Sequence, residues 1–186
     1  GDAPRATGHH VSSILLDLAI RSSKASSSTL SVGPPDEQGV LRMTMGLIWE
    51  DLVGDYLASY IHHVTQIPME ADGIHGTLDG LDISPQLLLY EYKATWKGEA
   101  NAIADGWRWF AQIKAYLKMI GARDAVLRVL HLCPYPRIRS YRLAFSQDEI
   151  NENWHMLRQH CDYLESQNAT TPVTPNPNLY PRPGQP

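Results

Sequence analysis

Cysteine, long apolar runs and internal repeats are what this 186-residue chain lacks, and each scarcity closes off a class of protein. Cys133 and Cys161 are too few for a disulfide framework, for the four thiolates of an iron-sulfur cluster or for a zinc site of C-x-x-C pairs. Both read as buried or incidental thiols. No stretch approaches the roughly 20 apolar residues that span a bilayer, and no basic segment followed by an apolar run and a cleavage site opens the sequence. The expectation is an intracellular, cytoplasmic protein with no membrane partner. The eight histidines show no H-x-x-x-H or similar ligand spacing, so His9-His10 and His62-His63 read as exposed and incidental. The formal charge of −4 disfavours a nucleic-acid partner until the charges are placed along the chain. Residues 92 to 142 then hold ten Lys or Arg against three acids, which leaves the remainder strongly acidic. One positive face on an acidic protein suits a phosphate backbone, although solvated helix and strand faces produce the same count.

The length suits one domain, residues 1 to 166, followed by a proline-rich tail, 167 to 186, with no apolar period. "HVSSILLDLAIRSS" has apolar residues at helical spacing, and "SSSTLSVGPPDEQG" reads as a loop. A longer helix is expected from Gly39 to Ile61, with Leu47, Ile48, Val53, Leu57 and Ile61 as its apolar stripe. "VTQIPME", "GIHGTLDGLDI" and "QLLLYEYKA" read as three strands of an antiparallel meander, turned at Asp72-Gly73 and Ser84-Pro85. One helix over Ala100 to Ile120 ends at Gly121. "DAVLRVLHLC" reads as a central strand, "RIRSYRLAF" as a strand with one wet face, and Ser146 with Glu149 as a capping box that starts the last helix. The order implies an α/β fold, a mixed β-sheet flanked by helices.

The second strand of interest, "LLLYEYKA", puts charge where apolar residues belong. Side chains two apart share a face, so Glu91 and Lys93 point one way and Tyr90, Tyr92 and Ala94 the other. A hairpin brings Asp79 of the preceding strand opposite or diagonal to Glu91. Two adjacent carboxylates repel, and a hard divalent cation relieves them; magnesium uses one or two protein carboxylates and keeps several waters. A neighbouring ammonium orients a water and balances charge on a phosphate. The combination suits hydrolysis of a phosphodiester.

Asp79 followed by Glu91-Tyr92-Lys93 resembles the D...(D/E)xK active site of the PD-(D/E)xK nuclease superfamily. "GLIWE" is similar to the G-x-x-x-(H/E) helix motif of its RecB-like and phage lambda-type alkaline exonuclease branch, "GIHGTLDGL" to the G-x-x-D strand, and "QIKAY" to the Q-x-x-x-Y helix. The four stand in the family's order over residues 40 to 155. The resemblance implies a restriction-endonuclease-like core. Glu50, Asp79, Glu91 and the carbonyl of Tyr92 would hold one or two ions, with Asp79, Glu91, Lys93 and Gln112 as the catalytic set and Lys93 positioning the attacking water. Tyr116 would line the groove, and Lys97, Arg108, Lys114 and Lys118 are the basic residues proposed to touch DNA. Relatives of this kind resect linear duplex ends in phage or bacterial hosts, form rings such as a homotrimer, and work beside a single-strand annealing protein. Glu50 stands where many relatives carry histidine, which favours Mg²⁺ over Mn²⁺. Leu78 stands where the superfamily's proline would be, and the cysteines that hold an iron-sulfur cluster in some RecB-like relatives are absent, so a cluster is not expected.

Other readings stay open on the residues alone. Asp79-Gly80 is also a turn signal, Glu50 an ordinary surface residue of an amphipathic helix, Asp82 an acid on the opposite strand face and Glu70 a solvated edge charge. A restriction or repair endonuclease would keep the same core, and a catalytically silent DNA-binding or assembly protein would keep the fold.

Overall fold

The Asp72-Gly73 dipeptide organises the sheet. Both residues have left-handed backbones, φ 51° and 73°, as a two-residue hairpin turn requires. They join β2 (His63–Ala71) to β3 (Ile74–Asp82), and Trp154 donates its indole N–H to Asp72 Oδ2 at 2.9 Å, tying the turn to the last helix. The computed structural model describes residues 8–25, 37–59, 63–83, 86–104 and 106–166. Its remaining elements are β1 (His9–His10), α1 (Val11–Ala25), α2 (Glu37–Ala58), β4 (Leu88–Thr95), α3 (Glu99–Ala104), α4 (Trp107–Ile120), β5 (Asp124–His131), β6 (Arg137–Ala144) and α5 (Gln147–Ser166).

The six strands form one mixed sheet. β2, β3 and β4 are the expected antiparallel meander, β4 and β5 run parallel across the α3–α4 crossover, and β6 returns antiparallel to β5. β1, which has only two residues and no pattern of its own, adds parallel to the start of β3. One face of the sheet is covered by α1, α4 and α5 around Ile14, Leu18, Leu78, Leu89, Phe110, Leu127 and Leu157. Among the described residues the opposite face is covered by α2, through Trp49, Val53 and Leu57 against Tyr90, Tyr92, Ala94 and Leu130. No helix among the described residues is long and apolar enough to cross a membrane.

Two helices differ from expectation. The Ala100–Ile120 helix is two, α3 and α4, with the break at Gly106, whose amide bonds back to the Ile103 carbonyl at 3.1 Å. Gly121 does end α4, at φ 69°. On α2 the buried stripe is Trp49, Val53 and Leu57, four residues apart, whereas Leu47 and Ile48 are exposed. The helix is apolar on several sides, so spacing alone could not select the face that meets the sheet. Ile61, the Ser84-Pro85 turn and the 167–186 tail lie outside the described residues. The Ser146–Glu149 capping box is present, with Glu149 N–H donating to Ser146 Oγ at 3.2 Å and Ser146 N–H to Glu149 Oε2 at 2.8 Å.

The β2–β3 hairpin changes faces halfway along. His63 and Thr65 lie under α2, where His63 meets Tyr92 and Thr65 touches Gly54, but Ile67, Met69 and Ala71 pack into the larger core on the other side. On β3, Gly76 lies against Tyr116 of α4, whereas Gly80 lies against His63 and Tyr92. The switch falls at Gln66, with φ 53°, a left-handed backbone that disfavours an L side chain, and at Asp79, its opposite number in the register. The sheet is wrung at the position of the candidate acid.

Candidate active site

β3 and β4 pair only from Gly80 with Tyr90 to Asp82 with Leu88. Past Gly80 the seam opens. The next inward-facing amide of β4, that of Tyr92, donates to Asp79 Oδ2 at 2.8 Å instead of to a strand carbonyl. A residue's N–H and C=O leave the same side of a strand, so the Tyr92 carbonyl faces this gap as well. β1 occupies the far end of the same β3 edge, at Ile74 and His75, because β2 fills the other edge throughout. The gap is therefore walled at both ends by strand pairing.

Glu91 and Lys93 project to the α4 side of β4, opposite Tyr92. Glu91 is fully buried; its Oε1 accepts a hydrogen bond from Lys93 Nζ, and among the described residues its Oε2 has no hydrogen-bond partner. Burial first, then the Asp79 charge, pushes its carboxyl up to about 8. Burial also raises Asp79, against the opposing pull of Lys93 and the Tyr92 amide. Burial lowers the Lys93 ammonium, but the Glu91 and Asp79 charges outweigh it and hold its pKa above the ordinary lysine value. Glu50, half-buried on α2 beside Trp49, is raised to about 7 by burial and by Asp79. Three acids thus share one lysine.

These acids suit a cation more than they suit one another. An orphaned, fully buried carboxylate oxygen, a second carboxylate already oriented by a backbone amide, and a carbonyl on the same edge are hard oxygen donors of the kind magnesium takes, with sides left for water. Among the described residues no group of three His, Cys, Asp or Glu side chains stands close enough to hold an ion. The fit is therefore to Asp79, Glu91 and the Tyr92 carbonyl, with Glu50 contributing charge from α2.

α4 closes the floor. Tyr116 is 1 % exposed and accepts a hydrogen bond from Gln112 Nε2 at 3.1 Å. Burial and the nearby Glu91 charge raise its phenol. Tyr116, read from the sequence as lining the groove, is buried beneath the site as support. Its ring lies on Gly76, where an added Cβ would stand 2.5 Å from Cε1. Gly76→Ala should therefore displace Tyr116, lowering stability by about 1–3 kcal/mol as overpacked core positions do. Urea midpoints for Gly76→Ala alone and with Tyr116→Leu test the contact, since the second change should recover part of the loss.

The basic candidates separate. Lys97 and Arg108 are exposed. Lys118 donates to Asn151 of α5 at 2.8 Å. Lys114 is fully buried, its ammonium 4.9 Å from the Phe145 ring centroid and 3.8 Å from Glu149 Oε1, so it braces α4 against α5 and is withdrawn as a phosphate contact. Sequence spacing could not separate these residues, because a lysine on an amphipathic helix looks the same whether its ammonium reaches water or folds over a ring. His63 corrects in the other direction: it is 8 % exposed and its Nε2 is 2.8 Å from Tyr92 Oη, steadying the strand that carries the site. Only its place at the start of a strand hinted at burial. His62 lies outside the described residues, and His10 packs edge-on against His75 with ring centroids 5.2 Å apart.

No family model matches the chain, and no curated protein resembles it in sequence. Solved structures do resemble it in fold. The protein SSO0001 superposes with a TM-score of 0.54 at 13% identity, covering 94% of this chain and 91% of its own. A phage-related exonuclease from Haemophilus somnus 129PT gives 0.52 at 12% identity over 83% of each chain. LHK-Exo, an alkaline exonuclease from Laribacter hongkongensis solved in complex with dAMP, gives 0.50 at 14% identity over 88% of this chain and 94% of its own. The mixed sheet flanked by helices is the fold that these proteins share with this chain.

Proposed function

We propose that this protein is a metal-dependent deoxyribonuclease of the PD-(D/E)xK type that hydrolyses phosphodiester bonds from the ends of linear duplex DNA. The carrying observation is the buried Asp79–Glu91 pair at the opened β3–β4 seam, with Lys93 bound to one of the two carboxylates. Asp79, Glu91 and the Tyr92 carbonyl would hold the ion, Mg²⁺ in preference to Mn²⁺. When bound, the ion supplies the Lewis acid that a phosphodiester requires at neutral pH. Lys93 orients the attacking water and offsets negative charge as it gathers on the phosphate. Gln112 and Tyr116 keep the floor rigid, and Lys97, Arg108 and Lys118 offer backbone contacts at the surface. The likeness of fold to named exonucleases supports end-directed action, and resection of ends for recombination or repair is the corresponding role. An endonuclease keeps the same site and differs only in needing no end.

The decisive experiment compares linear with covalently closed circular duplex DNA of one sequence, with Mg²⁺ or EDTA, using wild type and Asp79→Ala. Digestion of the linear form alone, abolished by EDTA and by the substitution, is the expected result. Cutting of the circle moves the assignment to an endonuclease, and no cutting of either refutes the hydrolytic reading.

A further inference from the structure

Strand register carries the face of the site outward to the edge of the sheet. Lys93 of β4 stands opposite Val129 of β5, and Val129 opposite Arg139 of β6, so the three side chains leave one face in a row. The next row is Thr95, His131 and Arg137, and the row on the other side runs from Glu91 through Leu127 to Tyr141. Two strand spacings put the Arg139 backbone roughly 10 Å from that of Lys93. Arg137 and Arg139 are both exposed.

One carboxylate already sits among these residues of β6. Arg139 Nε donates to Glu99 Oε1 at 2.8 Å, Tyr141 Oη donates to the same oxygen at 3.5 Å, and Arg137 Nη2 lies 3.7 Å from Glu99 Oε2. Glu99 opens α3, and it reaches β6 because the chain leaving β4 is pinned across the end of β5. Leu132 N–H donates to the Thr95 carbonyl at 2.9 Å, Lys97 N–H to Thr95 Oγ1 at 3.1 Å, and fully buried His131 donates through Nδ1 to the Lys97 carbonyl at 3.2 Å. An exposed ion pair adds little to stability. Two guanidinium groups and a phenol converging on one carboxylate describe instead a receptor for an anion, and they leave the cluster with a net positive charge. The planar fork of arginine suits phosphate oxygens as well as it suits a carboxylate.

We propose that Arg137, Arg139 and Tyr141 bind a backbone phosphate of duplex DNA about three nucleotides from the bond at Lys93, and that Glu99 fills their place until that phosphate displaces it. Phosphates of one strand advance about 3.4 Å along the duplex axis, which sets the count against the separation of the two strands. The ligand rests on the nuclease reading above, whereas the receptor is read from β6 and α3 alone. β6 follows all four sequence motifs in the chain, so none of them specifies this contact. As a resident anion Glu99 holds both guanidinium groups in place before DNA arrives and competes with it afterwards.

The test is fluorescence anisotropy of a labelled linear duplex with the full chain in chelator, at several salt concentrations. Arg139→Gln should weaken binding about fivefold and lower the slope of log affinity against log salt by about one, with unchanged circular dichroism. Arg123→Gln removes an exposed arginine at the opposite end of β5 and should change affinity by less than about twofold. Glu99→Gln should tighten binding about threefold, and the gain should vanish when Arg137→Gln and Arg139→Gln are also present. Wild type that binds no duplex overturns the inference, as does an Arg139→Gln that binds like wild type. So does an Arg123→Gln that costs as much as Arg139→Gln, or a Glu99→Gln that binds no tighter. No bond is cut in chelator, so the clamp is tested even where digestion of linear and circular DNA refutes hydrolysis.

Discussion

Lys93→Met is expected to lower kcat on linear duplex DNA by about 10²- to 10³-fold, the penalty usual for removing one preorganised charge from a developing anion. The side chain is held by Glu91 Oε1 in a site that excludes most water, so its charge is oriented before substrate arrives. Methionine keeps the length and apolar stem while deleting the ammonium. KM should move less than threefold if, as proposed, the grip on DNA comes from surface cations remote from Lys93. Single-turnover rates at saturating DNA make the measurement, and a fall of less than tenfold would remove Lys93 from the chemistry. Lys93→Arg should recover little, since a planar guanidinium cannot replace a compact ammonium in a closed space.

Glu91→Gln should abolish hydrolysis and at the same time stabilise the metal-free protein. Glu91 titrates at about 8 in the fold and near its ordinary value of 4.5 when unfolded. A carboxyl raised in this way binds its proton more tightly in the native state. Its contribution to stability is therefore complete below about pH 4.5 and is lost as pH rises through about 8. In chelator the melting temperature of wild type should fall between pH 5 and pH 8.5, through a loss of stability of roughly 4 kcal/mol. Glutamine carries no titration there and should flatten most of that slope. A shallower remainder belongs to Glu50, raised to about 7 but half-exposed and better screened. Magnesium added to wild type should restore stability at pH 8.5 and leave Glu91→Gln largely unmoved. Calorimetry of both proteins across that range decides the matter, and a wild type whose melting temperature rises with pH in chelator would contradict it.

Much was decided by the sequence alone because its signals are local. The Asp72-Gly73 turn, the meander on either side of it, the Ser146–Glu149 cap and the Gly121 stop depend on backbone conformations and hydrogen bonds within a few residues, which neighbouring side chains dictate. Alternation in "LLLYEYKA" likewise put Glu91 and Lys93 on one side of a strand, and the structure shows them in contact. Non-local contacts decided the rest. Which of α2's apolar sides is buried depended on what sheet lay beneath it, and Leu47 and Ile48 lost that competition to Trp49, Val53 and Leu57. Whether Lys114 met water or Phe145, and whether Tyr116 lined a groove or formed a floor, depended on elements far away in the chain. Neither the strand seam that opens at Asp79 nor the reversal of faces at Gln66 has a sequence signature, because each arises from pairings that exist only once β1, β2 and β4 have all chosen their places along β3. Sequence specified which charges the chain carries, and tertiary packing alone determined which of them would be buried together, because the free energy of a buried charge depends on neighbours brought from elsewhere in the chain.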